Sequence, residues 1–543
     1  MTDPMTTKPP TAHITHGVLR GTSTARTART ARTANTADDV SSALLFAGVP
    51  FAAPPIGPLR LRPPQPPTPW EGVREATEYP AGPAQRGADG RGGWETSEDC
   101  LYLNVWTPEL AGRRPVLVWI YGGGFELGTA SLPPTDGAAL SRLTGAVVVA
   151  PNYHVGALGW LNPAGPDANE WRDSANLGLQ DQTAALHWIH ANIASFGGDP
   201  DNITVAGHSA GAFSIGALLT HPAARGTFHK AILHSGSIGR LYPPDLSSSI
   251  TEDLMTQVGA KTMTELQSAP LTRIIEAQHT VIDQDFGARN LPGGRAWGLV
   301  HDGTVIVEDP AKAIAAGAAT HIPLLIGANR DEFRTFQYLY ASEHYRHPKD
   351  EQALLSEMER AGVQHPRDLL EAYRNHEAPH APNDRSNDRS NDRSNDRSND
   401  MSSAPSNDES AELSDLRTRF LSDAVYRRRA THLAELQTKA GGTAHTYLFS
   451  AEPLGPHYGA FHGCERFYAF DQLALLDIDT PEQRAARDTL IAAWTGFLTD
   501  GDPGWPAYDV ADPDGTRARQ IGGEPPFVDE PPAYVSLWWH PAR

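Results

Sequence analysis

One short stretch of the chain carries residue types and spacing that could do covalent chemistry. Within Asn202-Ile-Thr-Val-Ala-Gly-His-Ser-Ala-Gly-Ala212, the pentapeptide Gly207-His208-Ser209-Ala210-Gly211 has the pattern G-x-S-x-G. Ile203 to Ala206 reads as a short buried strand. The small apolar residues from Ala212 to Leu219 read as a helix. Strand, sharp turn and helix is the setting in which this pattern holds up a nucleophilic serine. At so tight a turn, side chains two residues either side of the serine would collide, and Gly207 and Gly211 remove them. Ser209 would then stand exposed at the top of a sheet. Ala210 would turn its backbone N–H toward the same point, at the positive end of the new helix. Taken alone the pentapeptide is weak, because its residues are common and an ordinary strand–loop–helix junction reads the same.

A serine hydroxyl is a poor nucleophile at neutral pH. It needs a histidine within hydrogen-bond reach and a carboxylate to hold that histidine's tautomer. On a strand–turn–helix elbow the chain order is serine, acid, histidine. Asp331 and Glu332, in Gly327-Ala-Asn-Arg-Asp-Glu-Phe333, both fit the acid's place. Of the 22 histidines, His445, His457 and His462 fit the base's place, the last two in a loop from Gly455 to Gly463. The residue types alone leave both choices open. Upstream, Tyr121-Gly-Gly-Gly-Phe125 ends an apolar run, and bare N–H groups at such a point can receive an anion. A flexible turn is the plainer reading.

These residues need a scaffold. Pro115–Ile120 is a continuous apolar run, as a strand buried on both faces would be, and Ala146–Ala150, Ala231–Gly236 and Pro323–Gly327 read as further short buried strands. Gly178 to Phe196 has helical spacing in Leu179, Leu186, Ile189 and Ile193. Strands alternating with helices imply an α/β fold, a mostly parallel sheet with helices on both faces. The stretches 240–320 and 337–440 read as amphipathic helices forming a lid or wall over the site. Leu44 to Pro64 is so rich in proline that helix and central strand are excluded, leaving an extended segment on the body of the fold. Residues 1–12 are expected to be disordered and 13–543 to form one catalytic domain. Two low-complexity inserts interrupt it, at about 22–38 (a Thr-Ala-Arg repeat) and 381–411 (Asn-Asp-Arg-Ser four times over).

The formal net charge of -20 argues against a nucleic-acid partner. No run of about 20 apolar residues could cross a membrane, and the first residues lack the apolar core of a signal peptide. Cys100 and Cys464 are the only cysteines. A soluble, cytoplasmic protein is expected.

Several blocks together resemble the type-B carboxylesterases, the family of bacterial para-nitrobenzyl esterases and cholinesterases. They are Phe46-Ala-Gly-Val-Pro-Phe, Ser97-Glu-Asp-Cys-Leu-Tyr-Leu-Asn-Val, Tyr121-Gly-Gly-Gly-Phe, Asn152-Tyr-His-Val-Gly-Ala-Leu-Gly, Asn176-Leu-Gly-Leu-Gln-Asp-Gln, Phe196-Gly-Gly-Asp-Pro and the serine pentapeptide, in family order. The resemblance implies an α/β-hydrolase fold and carboxylic ester hydrolysis through an acyl-enzyme, with no metal or organic cofactor. It implies Ser209 as nucleophile, Glu332 as acid and His462 as base. Backbone N–H groups of Gly123, Gly124 and Ala210 would form the oxyanion hole. Arg60 and Glu98 resemble a structural ion pair, and Ser235 a residue supporting the acid from behind.

Two departures stand out. His208 occupies a position that is usually glutamate in the family, which weakens any case for cationic substrates. The loop Tyr79–Gln85 lacks the cysteine that pairs with Cys100's counterpart in many relatives, so Cys100 should be a free, buried thiol. Cys464 lies two residues from His462, so thiol reagents should inhibit by crowding. The expected substrates are small to medium, largely apolar esters, with Trp94, Phe125, Trp160 and Phe333 as candidate pocket residues. Amide or carbamate hydrolysis on the same residues is an alternative. So is a non-catalytic binding protein, although such relatives typically lose part of the triad and this chain keeps it. An acyltransferase has no dedicated signal.

Overall fold

Val116, Leu117, Val118, Trp119 and Ile120 are all but inaccessible to solvent, as a strand covered on both faces requires. They belong to the centre of a large sheet in a computed structural model that describes residues 9–24, 43–85, 94–285, 295–339, 348–375, 408–511, 517–530 and 532. The Asn-Asp-Arg-Ser repeat, and the Thr-Ala-Arg repeat from Ala25 on, lie outside the described residues. In chain order the first strands are β1 (Thr11–Ile14), β2 (Gly17–Arg20), β3 (Thr22–Ser23), β4 (Leu44–Pro50), β5 (Val73–Glu75), β6 (Gly82–Pro83), β7 (Thr96–Ser97) and β8 (Tyr102–Thr107). After them come β9 (Arg114–Ile120), β10 (Val147–Pro151), β11 (Gly198–His208), β12 (Lys230–His234), β13 (Leu324–Asn329), β14 (Ala444–Phe449), β15 (Arg517–Ile521) and β16 (Phe527–Asp529).

Eleven of these form one sheet in the order β16-β15-β14-β13-β12-β11-β9-β10-β8-β4-β3. From β10 to β15 every neighbour is parallel. The outer strands at both edges run antiparallel. Helices pack in two groups. Gly137–Thr144 touches Pro481–Asp500, while Leu177–Asn192 touches Ala210–Leu218. Their ends are marked in the sequence. Thr480 accepts from the N–H of Gln483, proline opens the helix Pro481–Asp500, and Gly501 closes it at φ 87°. No described helix is long and apolar enough to cross a membrane.

Three expectations are corrected. The chain is ordered from before residue 13, since β1 begins at Thr11 and Ala12 is buried. Thr22 and Ser23, assigned to an insert, form β3. The proline-rich segment also begins as a strand with a neighbour on each side, β8 and β3. Proline is tolerated because Pro50 is the last residue of β4, and β3 reaches only Leu44 and Leu45, so no ladder partner is lost. A bulge between Phe46 and Val49 holds Gly48 at φ 68°, and its N–H donates to Asn104 Oδ1 at 3.1 Å.

Candidate active site

The serine stands where β11 meets the helix Ala210–Leu218. Ser209 has φ 55° and ψ −122°, a conformation L-residues rarely adopt. Its own N–H is held by the carbonyl of His234 on β12, at 2.9 Å. The two flanking glycines are required by space. A Cβ on Gly207 would lie 2.8 Å from the carbonyl carbon of Gly211. One on Gly211 would lie 2.1 Å from the carbonyl oxygen of Ile120, at the end of β9. Gly211→Ala should therefore cost about 3 kcal/mol of stability, since rigid backbone must move. Denaturant unfolding checks this, and a variant as stable as wild type would refute the clash.

His462 reaches Ser209 from a loop after β14. Its Nε2 lies 2.8 Å from Ser209 Oγ, and its Nδ1 lies 2.5 Å from Glu332 Oε2. Glu332 is fully buried just beyond β13, and its Oε1 accepts the Asn329 N–H at 2.8 Å. With the carboxylate ionised, Nδ1 keeps its proton and Nε2 is free to accept one from the serine. Asp331 is elsewhere engaged. It pairs with Arg330 at 2.8 Å and accepts the Ala460 N–H at 3.0 Å. Burial pushes its carboxyl up, but Arg330 and Arg334 outweigh that and hold it below the usual range. His445 Nδ1 is bound to the carbonyl of Trp505 at 2.9 Å, and the His457 ring packs at a tilt against Tyr338. The spatial arrangement thus selects Glu332 and His462 from the candidates left open by residue type.

Gly123 and Gly124, after β9, adopt φ 141° and 65°. The Gly123 carbonyl accepts from Glu126 and Leu127, which curls the loop back. Among the described residues, no hydrogen bond takes up the N–H groups of Gly123, Gly124 or Ala210. Three backbone donors thus remain for an oxyanion.

Ser235 does not play its expected part. Its hydroxyl is buried and has no hydrogen-bond partner among the described residues. The strand turns at Ser235 (φ 50°), whose N–H is bound to the Gly327 carbonyl, and Glu332 is held by Asn329 instead. Arg60 and Glu98 do form a two-pronged ion pair, with Nη2 to Oε2 at 2.7 Å. Arg60 Nη1 also donates to the carbonyls of Gln267 and Ala269, which ties the proline-rich segment to the helix Met263–Ser268. Phe125 and Trp160 pack edge to face at 4.6 Å with Trp160 fully buried, so both are core. Trp94 covers Gly82 of β6. Phe333 packs at a tilt against Phe336 and Tyr426, whose rings lie 5.6 and 4.6 Å from that of His462. Phe336 and Tyr426 were missed by sequence reasoning. Both lie in short π-helical turns, Thr335–Leu339 and Asp423–Arg427, that carry no motif.

Beneath the triad sits a second buried pair. His208 Nε2 is 3.6 Å from Glu465 Oε1, and both His208 nitrogens lack a hydrogen bond. Burial, then the neighbouring His462 ring and Arg466, push His208 well below its usual range, so it is neutral. Cys464 and Cys100 are free and fully buried. Burial pushes the Cys464 thiol up, so little of it is thiolate and its reaction with thiol reagents should be slow. Burial, then the nearby Glu332, push the Glu465 carboxyl up to about 6. The folded state therefore holds a proton that the unfolded chain releases. Stability falls as pH rises between about 4.5 and 6, by about 2 kcal/mol. Glu465→Gln should remove that slope and keep the 2.5 Å acceptor for Asn329 Nδ2. Its melting temperature should gain on wild type between pH 5 and pH 7. An equal difference at both would contradict the shift.

Comparison with known proteins agrees with this geometry. The profile of the carboxylesterase family matches residues 9–521. The para-nitrobenzyl esterase of Bacillus subtilis (strain 168) is 33% identical over 494 residues, 85% of this chain and 88% of that protein. The fumonisin B1 esterase of Sphingopyxis macrogoltabida is 40% identical over 296 residues, and the match spans only 54% of this chain and 53% of that esterase. The crystal structure of a Geobacillus stearothermophilus carboxylesterase superposes with a TM-score of 0.77 at 29% identity, over 97% of this chain and 100% of that one. A para-nitrobenzyl esterase structure gives 0.76 at 28% identity, over 98% and 99%. The sheet and its helices are thus the α/β-hydrolase fold that the sequence implied. A match running from residue 9 to residue 521, together with a relative aligned over most of both chains, makes this protein a member of the carboxylesterase family and a carboxylic ester hydrolase.

Proposed function

We propose that the chain hydrolyses small to medium carboxylic esters through an acyl-enzyme on Ser209. The observation that carries this is the continuous hydrogen-bonded line from Ser209 Oγ through His462 to the buried carboxylate of Glu332. Ser209 Oγ attacks the ester carbonyl as its proton passes to His462 Nε2. The oxyanion that forms lies among the N–H groups of Gly123, Gly124 and Ala210. Each such donor is worth about 3–4 kcal/mol in a site of this kind. His462 returns the proton to the alkoxide and the alcohol leaves. Water then attacks the acyl-serine with His462 again as base, releasing the acid and restoring the hydroxyl.

A matched pair tests the reaction class. The chain should turn over 4-nitrophenyl butyrate but leave butyric 4-nitroanilide almost untouched. Comparable kcat/KM on both would move the assignment to the amide hydrolase alternative. Esters from acetate to dodecanoate then size the pocket, with activity expected to fall at the longest chains.

A further inference from the structure

Around the serine the structure gathers positive charge, in a chain whose formal net charge is -20. Arg295 Nε lies 3.1 Å from where a Cβ on Gly124 would stand, so the guanidinium rests against the bare face of the glycine loop. Its Cζ is 5.6 Å from the ring of Phe336, itself 5.6 Å from the ring of His462. Arg240 has its Cζ 5.7 Å from the ring of Phe213, which neighbours Tyr426 at 6.3 Å. Tyr242 links the two: its hydroxyl donates to the Arg295 carbonyl at 2.9 Å and also interacts with the Arg240 side chain. Arg429 stands behind as a third guanidinium, pushed down to about 9 by burial and then by Arg240. Tyr426, whose phenol lies by the Ser209 side chain, feels both Arg240 and Arg295. Among the described residues, the acidic groups that act on this cluster include Glu332, engaged with His462, and Glu126, 3.4 Å from Arg295, with Asp283 close enough to act on Glu126. Burial pushes the Glu126 carboxyl up, so it offsets less charge than an exposed carboxylate would.

Guanidinium groups match carboxylates in shape and charge. We infer that the preferred substrates are esters bearing a carboxylate a few bonds from the scissile carbonyl, with that carboxylate docking on Arg295 and Arg240 behind it. This replaces the expectation of largely apolar esters, and it rests on Ser209 being the nucleophile. The aromatic wall of Phe213, Phe333, Phe336 and Tyr426 holds the hydrocarbon between the two polar ends.

The test compares kcat/KM for charged esters and uncharged counterparts of the same shape. Monoethyl adipate is set against ethyl adipamate, which places the charge on the acyl side. 4-Acetoxybutyrate is set against 4-acetoxybutyramide, which places it on the alcohol side. In wild type, at least one charged ester should be preferred by about tenfold or more, and the preference should shrink as salt is raised. Arg295→Gln should collapse that ratio, and Arg295→Glu should invert it. Ratios near one in both arms of wild type overturn the inference without any variant. So does a ratio that survives Arg295→Gln. The uncharged esters keep the two ideas apart. If they are turned over by wild type and not by Ser209→Ala, the nucleophile stands even where the carboxylate preference fails. Absence of turnover on all four strikes the esterase reading and the inference together.

Discussion

Ser209→Ala should lower kcat on a 4-nitrophenyl ester by about a millionfold and leave the protein folded. The size follows from what is removed. Without Oγ there is no acyl-enzyme, and His462 has only water to activate. What survives is the modest catalysis of an oxyanion hole made wholly of backbone. The fold should survive because alanine meets the same strain at φ 55° that serine does, and because the elbow's anchor, the N–H bond to His234, is a backbone bond. Initial rates on purified protein, with a melting curve beside them, check both halves. A properly folded variant that kept more than about a thousandth of wild-type turnover would mean that another group attacks the ester.

Glu332→Gln should cost about 10⁴-fold in kcat with little change in KM. The direction comes from Asn329. Its N–H donates to Glu332 Oε1 at 2.8 Å, so a glutamine there would turn its oxygen toward Asn329 and its amide NH2 toward His462 Nδ1. Nδ1 must then be the acceptor, and the ring proton moves to Nε2, which faces Ser209. The base is locked in the tautomer that cannot take the serine's proton. Substrate binding does not involve this choice, so the loss should appear in kcat. A variant of near wild-type kcat would show that the carboxylate's charge and the tautomer it imposes are dispensable.

What the sequence revealed and what it hid divide along physical lines. The elbow was legible because geometry admits so few residue types: Gly207 and Gly211 are needed wherever backbone comes within about 3 Å of a would-be side chain. The strands were legible because burial on both faces leaves continuous apolar runs. Acid and base were legible only as regions, since chain order narrows a position without choosing between Asp331 and Glu332. The ion partners of Asp331, which separate the two, come from side chains folded into place. Phe336, Tyr426, Arg240 and Arg295 were illegible because a helix or loop residue reaches a site by tertiary packing, with no local spacing to mark it. β4 was misread for a related reason. Proline is forbidden in a strand only where a neighbour needs its missing N–H, and the reach of β3 is not written in the proline-rich segment itself.

The distance along the chain between the two ends of the proton path has a temporal consequence. His462 follows Ser209 by 253 residues. At about 5–20 residues per second a ribosome needs roughly 10–50 s to travel from one to the other. For all that time the elbow waits without its base, and neither half can hydrolyse anything. Activity is therefore a late reporter of folding. In refolding from denaturant, recovery of ester turnover should trail recovery of helical signal, because it registers only when strand ends as far apart in sequence as β9, β11, β13 and β14 have found their places.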